Sequence, residues 1–309
     1  MMNNKKINKF SGVLAPVLTP FNPDMQINND LFLKHCKFLA SEGLGLAVFG
    51  TTSEGNSISV EEKIELLHKL VEVKIDPAIL MPGTGCSALS DTIRLTKFSL
   101  DIGCAGVLML PPFYYKEVTI AGLYKYYSEV IQQIGSSNLR IYLYHIPPVA
   151  QVPIAIQLIE QLIKNYPNIV VGIKDSSGDW TNTKAMLDCQ WDDFRIFVGS
   201  ENHLLQNMKY GGSGCISATA YINPRGIKEL CDNWDKENSH ELQKYLTQIR
   251  NSFSNFPLIP ALKSYLASYL KEKIWLLPRP PLTPLSEKDT TLLTGNLGNI
   301  NFKFSNKIF

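Results

Sequence analysis

Eight short apolar runs, each followed by a helical pattern, constrain this chain more than any other feature. The runs are Val13–Val17, Leu46–Phe49, Ile79–Met81, Gly106–Leu110, Arg140–Tyr144, Ile169–Ile173, Arg195–Val198 and Cys215–Ala218. Most are near-continuous in apolar residues rather than alternating, as parallel strands covered on both faces are. Helix signals fill the gaps. Ser59 with Glu62 three residues on forms a capping box. Ile64, Leu67, Leu70 and Val71 then repeat at helical spacing before Pro77 stops the helix. Thr119 caps a helix through Leu123, Tyr127, Val130 and Ile131 that ends at Gly135. Asn223-Pro224 reads as an N-cap and first-turn proline. Gly43, Gly103 and Gly211 sit where helices turn back into strands. The alternation predicts an α/β fold, a (β/α)8 TIM barrel. The competing doubly wound sheet lacks the Gly-x-Gly-x-x-Gly turn that would mark a dinucleotide site.

After the eighth unit only helical patterns remain, at His240–Phe253 and Leu258–Leu270. Residues 1–235 are therefore expected to form the barrel with the active site, and residues 236–309 a C-terminal helical region and tail. With the stretch Leu277-Pro278-Arg279-Pro280-Pro281-Leu282-Thr283-Pro284 that follows, this region reads as a helical appendix packed on the barrel or as an oligomer contact, and the stretch less readily as a PxxP ligand. The Asn-rich end from about Thr294 is expected to be poorly ordered.

Composition narrows the function classes. A net charge of +2 gives no electrostatic case for nucleic acid or an acidic membrane. No apolar run is long enough to span a bilayer. The basic start, Lys5-Lys6 with Lys9, is not followed by the uninterrupted apolar core of a signal peptide, because Pro16 and Pro20 interrupt it. Cys36, Cys86, Cys104, Cys189, Cys215 and Cys231 are scattered without a Cys-x-x-Cys pair. A reducing, cytoplasmic setting fits them.

Barrel enzymes work at the C-terminal ends of their strands. The second run leads into Gly50-Thr51-Thr52-Ser53-Glu54, the third into Gly83-Thr84-Gly85 and the fourth into Pro111-Pro112-Phe113-Tyr114-Tyr115. The fifth leads into Tyr144-His145-Ile146-Pro147, the seventh into Gly199-Ser200-Glu201-Asn202 and the eighth into Ser217-Ala218-Thr219. Lys174 closes the sixth, in Gly172-Ile173-Lys174-Asp175. A lysine in an apolar, β-branched run is either a surface residue just past a strand or a buried amine placed for chemistry. A desolvated amine is a nucleophile for a ketone. Tyr144, helped by the Thr52 hydroxyl, would carry the protons that carbinolamine dehydration requires. The Thr51 and Thr52 backbone N–H groups would hold a carboxylate. Ser53, Gly199, Glu201 and Ile216 are further candidates for substrate contact. Each piece has a plain alternative: a turn or cap for Thr51-Thr52, a core phenol for Tyr144, an interface patch for Phe113-Tyr114-Tyr115. Their convergence on one mouth favours imine chemistry.

The chain resembles the dihydrodipicolinate synthase / N-acetylneuraminate lyase family of class I aldolases. The matching pieces are Gly50-Thr51-Thr52-Ser53-Glu54, Pro112-Phe113-Tyr114-Tyr115, Tyr144-His145-Ile146-Pro147, Gly172-Ile173-Lys174 and Thr283-Pro284. The resemblance implies Lys174 as the Schiff-base lysine, Tyr144 as the proton-transferring phenol, and Thr51 and Thr52 as carboxylate and relay groups. It implies that Tyr114, or Tyr115 beside it, crosses into a neighbouring subunit's site. It further implies a homotetramer that needs no metal or organic cofactor and takes pyruvate, or a pyruvate-derived 2-oxo acid, together with an aldehyde.

Three departures bear on the substrate. Ser53 replaces the family's Gly, which predicts a different loop shape near the carboxylate. His145 replaces the usual Asn. Val149 occupies the place where true dihydrodipicolinate synthases, also called 4-hydroxy-tetrahydrodipicolinate synthases, carry a carboxylate-clamping Arg, and an apolar side chain cannot make that contact. A sugar-acid substrate contacting Glu201 and Asn202 is one option. Two other readings are a metal-dependent lyase built on His145, Asp175, Glu201 and His203, and a catalytically silent barrel that binds an oxo acid.

Overall fold

The computed structural model describes residues 9–304. Lys5, Lys6 and the last five residues lie outside them. Seven strands form one parallel sheet: β1 (Gly12–Pro16), β2 (Gly45–Ala47), β3 (Val107–Met109), β4 (Ile141–His145), β5 (Val170–Asp175), β6 (Arg195–Val198) and β7 (Gly214–Ile216). Their order is β2-β1-β7-β6-β5-β4-β3.

The expected strand at Ile79–Met81 takes a different form. Ile79 ends a 3₁₀ turn, Pro77–Ile79. The extended stretch starting at Leu80 then bridges β2 and β3 through parallel pairs Leu46–Leu80 and Gly83–Leu108. Met81 N–H donates to Leu46 O and Leu108 N–H to Pro82 O, each at 2.8 Å. Pro82 has no N–H to give a ladder, so the eighth stave closes the barrel by isolated bridges rather than a regular strand.

The helices between strands follow their caps. In α2 (Val60–Glu72) Ser59 and Glu62 make the reciprocal capping box. The helix stops at Glu72, ahead of Pro77, where Lys74 takes a positive φ. In α4 (Ile120–Ile134) the Thr119 side chain accepts from Gly122 N–H, and Gly135 closes the helix in the left-handed region. Gly43, Gly103 and Gly211 also take positive φ, as helix-to-strand turns require. α9 (Pro224–Asp232) starts on Pro224.

Tyr142, Phe197, Leu14, Leu108, Met81 and Ile216 form one buried cluster inside the barrel. Outside it, one core covers β3 to β6 with residues such as Leu123, Tyr127, Leu158 and Ile173, and another runs without a break from barrel residues such as Phe32, Leu67 and Ile227 into Leu246, Phe253, Leu262, Trp275 and Leu293. The latter belong to α10 (Ser239–Ser254), α11 (Leu258–Leu270), the turn Lys273–Leu276 and α12 (Glu287–Asn299). The Asn-rich end is thus helical through Asn299, with Leu293 and Leu297 buried. All six cysteines are free. No helix among the described residues is long and apolar enough to cross a membrane.

Candidate active site

Lys174 lies within β5, not beyond its end, and is 5% exposed. It pairs in register with Tyr144 of β4 on one side and Phe197 of β6 on the other. Side chains alternate along a strand, so Tyr142 and Tyr144 share a face, as do Gly172 and Lys174. Gly172 is required here: a Cβ would come within 2.7 Å of the Tyr142 ring and 2.6 Å of Arg195 O. The bare glycine lets the Tyr142 ring fill the barrel one layer below Lys174.

The Lys174 Nζ donates to the Tyr144 hydroxyl at 3.3 Å and lies 4.3 Å from that ring's centroid. The Tyr144 hydroxyl continues to Thr51 Oγ1 at 3.2 Å. The hydroxyl bonded to Tyr144 is thus that of Thr51, where the sequence pointed to Thr52. Thr52 is buried and lines the same cavity.

Both threonines stand on a tight turn. Ser53 and Gly55 N–H donate to Gly50 O, and Glu54 N–H to Thr51 O. Gly55 packs so closely on Phe49 that a Cβ would fall 2.0 Å from its carbonyl oxygen. The positive φ of this turn falls on Glu54, at 56°, so Ser53 sits there without backbone strain. Ser53 is fully buried, and its carbonyl accepts from the Thr19 hydroxyl at 2.7 Å. It is not a wall of the cavity.

The cavity measures about 340 Å³ and holds Thr51, Thr52, Tyr144, Lys174, Gly199 and Ile216 together. Sequence reasoning missed several of its walls: Ile146, Val198, Thr183, Arg250 and the start of α11, Pro257–Pro260. The last two come from the region read as an appendix. Nothing in a helical pattern tells which residue faces a cavity on another part of the chain. Glu201 is placed elsewhere. It is 1% exposed, is no wall of the cavity, and accepts from the hydroxyls of Ser217 and Thr219. Tyr114 and Tyr115 lie outside this cavity, 73% and 74% exposed, with their rings edge to face.

Of the ligand set considered for a metal, His145, Asp175 and Glu201 are engaged by other partners, and His203 stacks on Trp180. His145 Nδ1 accepts from Ile154 N–H at 3.0 Å. Burial holds this imidazole below its ordinary range, against the opposing charge of Asp175. The Asp175 carboxylate accepts from Ser177 N–H, Asn182 Nδ2 and Thr183 Oγ1. Among the described residues no three His, Cys, Asp or Glu side chains gather where a metal ion would sit.

A parallel barrel whose mouth sets a buried lysine against a tyrosine–threonine relay is the site of a lyase of the class I aldolase type. The chain belongs to the dihydrodipicolinate synthetase family, whose profile matches residues 9–298. It is 33% identical over 287 residues to an uncharacterised DapA-like lyase of Chloroflexus aurantiacus, covering 91% of this chain and 94% of that one. It is 32% identical over 285 residues to a 4-hydroxy-tetrahydrodipicolinate synthase of Thermus thermophilus, covering 90% and 93%. The crystal structure of dihydrodipicolinate synthase from Agrobacterium tumefaciens superposes with a TM-score of 0.88 at 29% identity, covering 94% and 99%.

Proposed function

We propose that Lys174 forms an imine with pyruvate or a pyruvate-derived 2-oxo acid, and that the enzyme makes or breaks a C–C or C–O bond beside that imine. The observation that carries this is the Lys174–Tyr144–Thr51 line of polar atoms in the cavity, with steps of 3.3 and 3.2 Å. The amine attacks the ketone, and the carbinolamine then loses its hydroxyl as water. Tyr144 supplies that proton and recovers one through Thr51. The iminium draws electrons from the adjacent carbon. That carbon releases a proton to give an enamine, which attacks an aldehyde; the reverse sequence cleaves the same bond. The imine is itself the electron sink, so the reaction needs no metal or organic cofactor. The N–H groups of Thr51 and Thr52 take the oxo acid's carboxylate, as turn nests do.

Val149 lines the cavity, is 58% exposed and offers no donor. This favours an aldehyde other than one clamped by an arginine at that place, although relatives such as the Thermus protein are 4-hydroxy-tetrahydrodipicolinate synthases. The exposed Tyr114–Tyr115 pair is the kind of aromatic patch that a subunit contact covers. It fits a homotetramer in which one of the two reaches a neighbour's site, and the six free cysteines fit a cytoplasmic setting.

Borohydride reduction in the presence of pyruvate, followed by peptide mass spectrometry, tests the imine. A pyruvate-derived adduct on the Lys174 peptide is expected, and Lys174→Ala should lose it while staying folded. Folded wild-type protein that yields no Lys174 adduct with pyruvate or longer 2-oxo acids would overturn the reading.

A further inference from the structure

The cavity has two unlike walls. On one, the polar groups are taken up by one another. Thr183 Oγ1 donates to the Asp175 carboxylate at 2.7 Å, Thr181 N–H and Oγ1 donate to that of Asp179 at 2.8 and 2.7 Å, and Asn202 N–H donates to Ser200 Oγ at 3.3 Å. The Arg250 Nη1 is sealed from solvent, so that guanidinium cannot hold out both Nη groups to a ligand.

The other wall is hydrocarbon, with Ile146, Val149, Leu258 and Leu282. Among the described residues, Val149 is the one exposed large apolar side chain that lines the cavity. Leu282 is half-buried there and packs against none of the three cores. Both are held in place. The turn Pro147–Ala150 begins with two prolines, and Val149 and Ala150 N–H both donate to Ile146 O, at 3.1 and 2.9 Å. Leu282 N–H donates to Arg279 O at 3.2 Å. The Arg279 guanidinium is itself fixed to Met25 O, Ser57 O and Glu62. Two rigidly placed apolar groups thus stay open to water in the cavity that holds Lys174. Hydrocarbon wetted in this way favours a ligand that covers it with hydrocarbon.

We propose that Val149 and Leu282 set the specificity for the second substrate, and that this substrate is an uncharged aldehyde with a hydrocarbon body, a branched chain or a ring. The proposal rests on the imine reading. Lys174 takes pyruvate, and the aldehyde lays its apolar body against Val149 and Leu282. The enamine carbon forms the new C–C bond to the aldehyde carbon, and the aldehyde oxygen regains the proton that the pyruvate methyl gave up. One water then hydrolyses the imine, releasing a 4-hydroxy-2-oxo acid and the free Lys174 amine.

The test measures kcat/KM in the pyruvate-dependent aldol reaction with three aldehydes: apolar 3-methylbutanal, polar glyceraldehyde and anionic succinic semialdehyde. Wild type should prefer 3-methylbutanal. Val149→Thr and Leu282→Asn keep nearly the same shape and make the wall polar. Each should lower the ratio of 3-methylbutanal to glyceraldehyde by roughly 10-fold, the scale of one methylene in a hydrophobic substrate pocket. The loss should fall in KM, because the contact is present before and during the reaction. The borohydride-trapped pyruvate adduct on Lys174 reports, in each variant, that the site is folded. Wild type that turns over 3-methylbutanal no better than either other aldehyde overturns the proposal and leaves the imine standing. So does an unchanged ratio in both variants with the adduct intact. No adduct in wild type overturns the imine and this proposal with it.

Discussion

Tyr144 is the residue on which the proposed chemistry turns, because its hydroxyl alone touches both the amine and the threonine. Tyr144→Phe keeps the ring that packs beside Lys174 and removes only the oxygen. If that oxygen moves the protons, kcat should fall by roughly 10²–10⁴-fold, the range for a positioned general acid–base. Adduct formation at Lys174 should slow alongside it, with thermal stability little changed. Stopped-flow measurement of pyruvate consumption checks this, and unchanged kinetics would reduce Tyr144 to a packing residue. Lys174 stood out in the sequence as a charge in an apolar run, and Tyr144 only through its place at a strand end beside the other candidates and through the family resemblance. The choice between Thr51 and Thr52 was not legible. Two hydroxyls in adjacent positions of a turn are told apart only by the turn's geometry, which depends on Gly55 closing against Phe49.

That turn is held from outside the barrel. The Glu54 carboxylate forms an ion pair with the Lys263 ammonium of α11, both side chains fully buried. It also accepts from Arg279 N–H at 2.8 Å. Lys263 Nζ donates in addition to Leu277 O at 2.9 Å. The Arg279 guanidinium reaches Met25 O, Ser57 O and Glu62, and both cations lie 4.6 Å from the Phe21 ring centroid. Within the Pro-rich stretch, Arg279 is thus a strap across the threonine turn rather than part of an exposed PxxP ligand. Desolvation lowers the Lys263 ammonium to about 8, with the Glu54 charge opposing that shift. Lys263→Met would strip Glu54 of its partner in a buried place, which costs about 3–5 kcal/mol. Urea unfolding should read that loss, and kcat should fall too because Thr51 rides on the same turn. A loss under about 1 kcal/mol would mean that Arg279 alone satisfies Glu54. The sequence showed Lys263 only as one residue of a helical pattern, and neither its burial nor its partner, 209 positions away, leaves a local signature.

Across the whole molecule, the alternation of apolar runs was enough to read the barrel, because both strand burial and helix amphipathicity are written in local periodicity. The closing stave at Leu80–Thr84 was less legible, since Pro82 and Gly83 disguise it. The sequence offered packing of the C-terminal helices on the barrel as one of two readings, but the contacts that make it left no local signature. His35 shows how closely helices and barrel are joined. This α1 (Asn29–Ser41) residue stacks on Tyr221 at 5.3 Å and meets Trp275 edge-on at 4.6 Å, tying a barrel helix to the turn after β7 and to the C-terminal segment. Burial, and next the nearby Lys34 charge, lower its pKa from 6.5 to about 3. Between those values the unfolded chain binds a proton that the folded protein excludes. The His35 contribution to stability is therefore complete above pH 6.5 and declines as pH falls toward about 3, by at most about 1.4 kcal/mol per pH unit. Urea unfolding at pH 7 and pH 4.5 measures it against His35→Leu, in which the carboxylates titrate as in wild type and cancel. Wild type should lose about 2–3 kcal/mol more than the variant over that interval. Because one core runs through barrel and C-terminal helices, the loss should appear as a shift of a single cooperative transition. Equal losses in the two proteins would show that the stack opens to admit the proton without unfolding, and that the C-terminal segment is held to the barrel by its other contacts.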